Sequence, residues 1–333
     1  MGPRLILIRA PNWLGDTVMA LPALRAVRGA HLESRIAVIG RWAGLLMGQD
    51  VADLVLPYPV AREERRRLHH ALRAERADLA IVLPHSFESA LAATRWRARR
   101  RVGYDVDARG ALLTDALPLP SPRRHQIDEY LALVSGLGAM ATDTTPTWRL
   151  GRDAEAERNV DALLAETGAG ASARLVGLHL GAAFGASKLW PPASFADLAG
   201  RLARVGFMPV LLGAAGDRRI ADATRACADR RLASLVGRDR PALLPRLLSR
   251  LCCLVSGDTG VAHLAAAVGV PTVTLFGPTD PWLTAPRAAR AHVLSRGVPC
   301  APCFLPSCPI EHPCLRGIAA DDVLREVQRA SAR

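Results

Sequence analysis

The first residue of this chain able to do chemistry is Asp16, just past a glycine in "LILIRAPNWLGDTVMALPALRAV" (residues 5–27), where an apolar run should turn into a helix. A carboxylate there either caps the helix by accepting backbone N–H bonds in its first turn, or stands at the end of a strand as a general base. The second is Lys188, in "HLGAAFGASKLWPPASF" (179–195), the single lysine among 43 basic residues. Unless it survives by chance, a chain that otherwise uses arginine keeps it because a Gly-rich loop needs a compact ammonium charge. Gly181 and Gly185 relieve crowding in that loop and let backbone N–H groups approach phosphate oxygens. The third group lies in "VSGDTGVAHLAAAVGVPTVTLFGPTDP" (255–281). Gly257, Asp258, Thr259 and Gly260 form a turn, and the helix that follows begins with free N–H groups and a positive dipole end, which suits an anion. His263 either faces that ligand or is a satisfied core histidine, and the apolar run around it favours the core. The Gly-Pro-Thr turn at 277–279 is placed to close over a bound group.

These loops lack the G-x-G-x-x-G pattern of a dinucleotide fold and the Lys-Ser/Thr ending of a P-loop. Phosphate binding is supported, whereas hydride transfer and nucleotide hydrolysis are not. The common chemistry left is transfer from a nucleotide-activated donor. No acidic metal-binding motif is evident. "CAPCFLPSCPIEHPC" sets Cys300, Cys303, Cys308 and Cys314 around His312. Cys-x2-Cys is half of a zinc site, but the second pair is not spaced like a ribbon or finger, so structural zinc and free thiols both stay open.

Short β-branched and leucine-rich runs alternate with longer segments of helical period, the pattern of α/β units with parallel sheets. The first half predicts strands near 5–9, 35–39, 54–57, 79–83 and 101–104, closed by a helix at 125–138. A stretch poor in apolar periodicity, 141–153, marks the joint. The second half restarts the pattern with "RLVGLHLGA", "FMPVLLGAAG", "LASLVG", "CCLVSGD" and "PTVTLFGP". The expected fold class is thus α/β, with a doubly wound domain at 1–150, a second at 151–318, and a last helix at 319–333 packing back on the first. Ligands of such sheets bind outside the carboxyl ends of the strands, where Asp16, Lys188 and Asp258 fall.

At 333 residues the chain suits two cores, and with half its residues apolar it is globular. No apolar run approaches the ~18 to 20 residues of a spanning helix, and the start lacks a signal-peptide pattern, so a cytoplasmic protein is expected. The net charge of +12 concentrates in "AREERRRLHHALRAER" (61–76) and "RWRARRR" (95–101). Such runs are either solvated helix faces or docking sites for phosphorylated or lipid surfaces. Nucleic acid is not expected, because no aromatics interleave with the arginines.

The chain resembles the family 9 glycosyltransferases, specifically the ADP-heptose:lipopolysaccharide heptosyltransferases. Six stretches occur in the family's order: "PNWLGDTVMALPAL", "VLPHSFESAL", "GAAFGASKLWP", "LLGAAGD", "SGDTGVAHLAAA" and "LFGPTDP". The second and third resemble heptosyltransferase II more than heptosyltransferase I. The resemblance implies a GT-B fold, two facing Rossmann-like domains with a central cleft, the first holding the acceptor and the second ADP-heptose. It implies inverting transfer of heptose to the lipopolysaccharide inner core, with Asp16 as catalytic base and Lys188 on the donor diphosphate. Gly181, Ser187, Asp258, Thr259, Gly260 and His263 are the implied donor contacts, with Asp217 near the adenosine ribose. Asn12, Trp13, Ser86 and Arg123 are the implied acceptor contacts. No cofactor is required if Lys188 and the helix end neutralise the diphosphate. The implied partner is a lipid A-core acceptor at the inner membrane surface, with peripheral membrane contact. A glycosyltransferase for another nucleotide-activated sugar, or a non-catalytic nucleotide-sugar-binding module, would carry much of the same sequence.

Overall fold

The computed structural model describes residues 2–170, 172–238 and 240–332. The chain divides into two compact units, Met1–Pro146 and Thr147–Arg333. Each is built on one six-stranded sheet.

In the first unit the strands are β1 (Leu5–Arg9), β2 (Arg35–Gly40), β3 (Leu54–Pro57), β4 (Leu79–Val82), β5 (Arg100–Asp105) and β6 (Asp115–Pro118). They lie in the order β3-β2-β1-β4-β5-β6, and every pairing is parallel, with Ile8 opposite both Val38 and Ile81. Parallel strands are covered on both faces, which is why β1 before Arg9 and β4 read as continuous runs of Leu, Ile, Val and Ala. In the second unit β7 (Leu175–His179), β8 (Met208–Leu212), β9 (Ala233–Ser234), β10 (Cys253–Gly257), β11 (Thr272–Phe276) and β12 (Ala291–Ser295) take the order β12-β11-β10-β7-β8-β9. These pairings are parallel as well. The two strands that the apolar runs do not reveal, β6 and β12, are sheet edges whose residues alternate between partly buried and exposed. An edge needs no continuous apolar run, so its signal is weak.

The helices obey the 3.6-residue period. In Pro192–Arg204, Pro192 opens the first turn, Phe195, Leu198, Ala199 and Leu202 are buried on one face, and Arg201 and Arg204 stand in the last turn. The helix Gly260–Val268 is buried almost all round, from Val261 to Ala267, and its alanines admit close packing. It stops at Gly269, whose φ of 94° is the left-handed cap that glycine adopts most readily. The C-terminal helix Ala320–Ser331 buries Val323, Val327 and Ala330 in the second unit's core, against β10, β11, β12 and the helix Pro192–Arg204. Each buried valine contributes roughly 1.5–3 kcal/mol. The helix expected to pack back on the first domain has its apolar stripe buried against the second unit's sheet.

Both strand orders contain one switch point, between β1 and β4 in the first unit and between β7 and β10 in the second. Chain leaving these neighbours departs in opposite directions, so a crevice opens outside their carboxyl ends. The loops after β1, β4, β7 and β10 are therefore the ones that the fold reserves for ligands.

Candidate active site

In the first unit, β1 ends in a buried charge. The Arg9 guanidinium is fully buried. It donates to the Ala10 carbonyl at 2.5 Å and to Asn12 Oδ1 at 2.7 Å, lies 3.5 Å from Glu88, and stacks 4.0 Å over the Tyr58 ring. Burial lowers its pKa and the Glu88 charge opposes that shift. A buried cation needs such a partner. Glu88 in turn accepts from the Tyr58 hydroxyl, which lies 3.4 Å from His69 Nε2, while His69 Nδ1 accepts from the Trp96 indole at 2.9 Å. From the other side, the Trp42 indole donates to the Asn12 carbonyl at 3.1 Å. The loop carrying Asn12 and Trp13 is thus held from both flanks, with the Trp13 side chain 55% exposed.

That loop delivers the helix Leu14–Met19, in which Asp16 is the third residue. The cap position belongs to Trp13, with extended backbone and no side-chain cap bond, so the N-cap use of Asp16 is not the one the fold makes. Its helix packs on the helix Gln126–Ser135. There Tyr130 is buried, and burial, followed by the Asp16 and Glu129 charges, holds the phenol well above its ordinary pKa. Tyr130 as the neighbour of Asp16 had no sequence signal, because helical period marks it only as core.

The loop after β4 contains Ser86, whose hydroxyl accepts from Ser89 N at 3.4 Å and caps the helix Phe87–Arg95. Fully buried Arg109 organises this loop, donating to the carbonyls of Tyr104, Pro84 and Ser86 and to Ser89 Oγ. Desolvation lowers its pKa to about 10. Nothing in "DVDARGALL" singles Arg109 out beforehand, since apart from neighbouring Tyr104 its partners lie in the 84–89 segment. Arg123 forms a two-point ion pair with buried Glu129, at 2.6 and 2.9 Å, which raises the arginine's pKa. This pins its segment to the helix carrying Tyr130.

The two basic runs converge. Arg62, Arg65, Arg66 and Arg73, with His69 and His70, come from the helix Arg62–Ala74, and Arg95 and Arg97 from the end of Phe87–Arg95. Together with Tyr58, Thr94 and Glu88 they line a groove of about 710 Å³.

In the second unit the switch point is closed by one contact. Lys188, in the loop after β7, donates to Asp258 Oδ2 at 2.5 Å and to the Asp258 carbonyl at 3.3 Å, in the loop after β10. Thr279 donates to the same carboxylate oxygen at 2.7 Å, and His263 Nε2 lies 4.0 Å from Oδ1. His263 is only 5% exposed, so it is both a core residue and a neighbour of the site. The ammonium also sits 4.9 Å over the Phe184 ring. The single lysine is therefore paired, not a bare charge. The positive character beyond that pair comes from the helix Gly260–Val268, whose first turn no side chain caps. Thr259 at its cap instead pairs with Ser256 Oγ at 2.9 Å. Ser256 lies 3.5 Å from His179 Nδ1, whose pKa burial lowers to about 4.

Gly181 serves a purpose beyond backbone access: a Cβ there would collide with the Asp217 carboxylate, which also packs under Gly213. Asp217 accepts from Ala214 N at 2.8 Å, and burial raises its pKa. The Ser187 hydroxyl is buried beside Lys188 without a hydrogen-bond partner. The structure does not gather Cys300, Cys303, Cys308 and Cys314 into a metal centre: among the described residues no group of three or more His, Cys, Asp or Glu side chains is arranged to hold an ion.

Two doubly wound parallel-sheet units with polar groups collected at each switch point, and no dinucleotide or P-loop signature, define the GT-B class of glycosyltransferases. The E. coli ADP-heptose lps heptosyltransferase II structure superposes with a TM-score of 0.81 at 26% identity over 98% of both chains. A family 9 glycosyltransferase from Veillonella parvula has the same fold, with a TM-score of 0.85 at 20% identity over 98% of this chain and 97% of that one. The model of glycosyltransferase family 9 (heptosyltransferase) matches residues 65–313. Lipopolysaccharide heptosyltransferase 2 of Salmonella typhimurium is 32% identical over 310 residues, 87% of each chain. The chain belongs to glycosyltransferase family 9 and is a glycosyltransferase enzyme.

Proposed function

We propose that the enzyme moves heptose from ADP-L-glycero-D-manno-heptose to the inner core of lipopolysaccharide, with inversion at the anomeric carbon, as a heptosyltransferase II. The observation that carries this reading is the Lys188–Asp258–Thr279 constellation at the second switch point, in a chain 32% identical to a lipopolysaccharide heptosyltransferase 2. The donor diphosphate lies against Lys188 and the first turn of Gly260–Val268, with Gly181, Asp217, Asp258, Thr259 and His263 around the nucleotide. The partnerless Ser187 hydroxyl is a donor in search of an acceptor, which a ligand oxygen supplies. Asp16 takes the proton from the acceptor hydroxyl as that oxygen attacks the anomeric carbon, and the lysine and helix end stabilise departing ADP. Asn12, Trp13, Ser86 and Arg123 contribute to the acceptor side.

The test is incubation with ADP-heptose and truncated inner-core acceptors. A heptosylated product with ADP-heptose, and none with ADP-glucose or UDP-sugars, is expected. Turnover with a hexose donor alone would transfer the reading to another sugar, and absence of turnover with every donor would leave a binding module.

The arginine-lined groove supports a peripheral contact with the anionic membrane surface where such an acceptor resides. Among the described residues no helix is long and apolar enough to cross a membrane. Each arginine near an anionic surface contributes about 1 kcal/mol, screened by salt. Sedimentation with phosphatidylglycerol vesicles is expected to show binding that weakens steeply as salt rises. Binding indifferent to salt would contradict an electrostatic contact.

A further inference from the structure

The cysteine-rich segment before the last helix has no role in the chemistry above, yet its backbone touches both loops that meet at Asp258. Beside Lys188, Ser187 N donates to the Pro306 carbonyl at 3.1 Å, and Gly185, with φ of 154°, has no room for a Cβ because Pro306 lies against it. Beside Thr279, the N–H groups of Cys303 and Phe304 both donate to the Pro278 carbonyl, at 3.0 and 2.8 Å. The segment then enters the core. Cys314 and Leu315 are buried and press on Gly277, where a Cβ would come within 2.7 Å of Leu315 Cγ and 3.2 Å of Cys314 Sγ. Two residues past Lys188, the Trp190 indole donates to the Ile318 carbonyl at 3.2 Å. Within the segment, Cys308 Sγ accepts from His312 N at 3.2 Å.

We infer that residues 303–318 are a strap that sets the donor site: it holds the Lys188 loop and the Thr279 turn in register, so that donor affinity depends on its seating. This rests on the reading of the second switch point as the donor site. The physical reason is that Lys188 and Thr279 converge on one carboxylate from loops after different strands, β7 and β11. Neither loop contains regular structure long enough to fix its own position, so a third segment bonded to both supplies the register. Pro306, Cys303 and Phe304 are positioning residues through their backbone groups, and Cys308 and Cys314 serve the strap's folding and seating. A strap made of backbone tethers explains why its sequence is rich in proline and carries no charge on either tether.

Two substitutions unseat the strap at different points without replacing Lys188, Asp258 or Thr279. Gly185→Ala drives a Cβ into Pro306, and Gly277→Ala drives one into Leu315. Gly200→Ala, with nothing within 4 Å of the added carbon, is the control. Calorimetry with ADP is expected to show at least a tenfold weaker Kd for both strap variants and no change for the control, with the donor KM rising while the acceptor KM stays. On the unaltered enzyme, ADP is expected to slow amide hydrogen exchange in 300–312, a readout that a purely structural segment would not give and that requires no variant to fold. Unchanged ADP affinity in the folded strap variants, or exchange in 300–312 indifferent to ADP, overturns the inference. Lys188→Ala separates the two readings: if it loses ADP while the strap variants keep it, the donor site stands and the strap does not. If Lys188→Ala keeps full affinity, the donor assignment itself falls.

Discussion

Replacing Asp16 by alanine lowers turnover at least ~10²-fold, the usual scale of a lost general base, while ADP binding persists. Asp16 is the third residue of Leu14–Met19, a helix in which Thr17, Val18 and Met19 are buried. The loop before it is fixed independently by Arg9 and Trp42 through Asn12. Removing the carboxylate removes a proton acceptor together with its charge beside the buried Tyr130 phenol. Asp16→Asn keeps the shape and loses the basicity, so it is expected to fall as far as alanine. Measured as ADP release from donor and acceptor, near-normal rates in either variant would defeat the assignment. Weakened ADP affinity would indicate instead that the substitution had disturbed the protein at large.

The second large effect is on donor binding. Lys188→Ala is expected to weaken ADP affinity roughly 10- to 100-fold, from the ~1.5–3 kcal/mol of a hydrogen bond to a charged group. The pairing with Asp258 adds to this. With the ammonium gone, a carboxylate whose side chain is only 7% exposed keeps Thr279 and loses its cation, so a diphosphate would approach a negative site instead of a neutral one. Adding Asp258→Asn to Lys188→Ala should accordingly recover part of the affinity, a reversal that a lysine acting through packing alone would not produce. Lys188→Arg is expected to rescue poorly, because a planar fork replaces a compact ammonium wedged between Asp258 and the Phe184 ring. Unchanged calorimetric affinity in Lys188→Ala would remove the lysine from the site.

Much of this site was legible early because its chemistry is local. Asp16, Lys188 and Asp258 each follow an apolar run, and a polar residue just past a buried strand of an open α/β sheet falls at the ligand end. The single lysine in an arginine-rich chain is a compositional signal. Other features had no such trace. The meeting of Lys188 with Asp258 joins residues 70 positions apart. Arg109 gathers the carbonyls of Pro84 and Ser86, 25 and 23 residues upstream. Gly181 looked like a phosphate-loop glycine and is also the space into which Asp217 fits.

By itself the sequence determined the alternation of strand and helix, the two-unit plan and the residues at the strand ends, because periodicity and turn chemistry act over a few neighbours. Only the tertiary structure decided which loops become neighbours at each switch point. It also decided that the two arginine runs share one groove, that the last helix belongs to the second unit, and that the cysteine segment is tied to the loops on either side of Asp258. Those outcomes depend on sheet order and on the pairing of distant surfaces, and pairing between distant surfaces leaves no periodic mark in the chain.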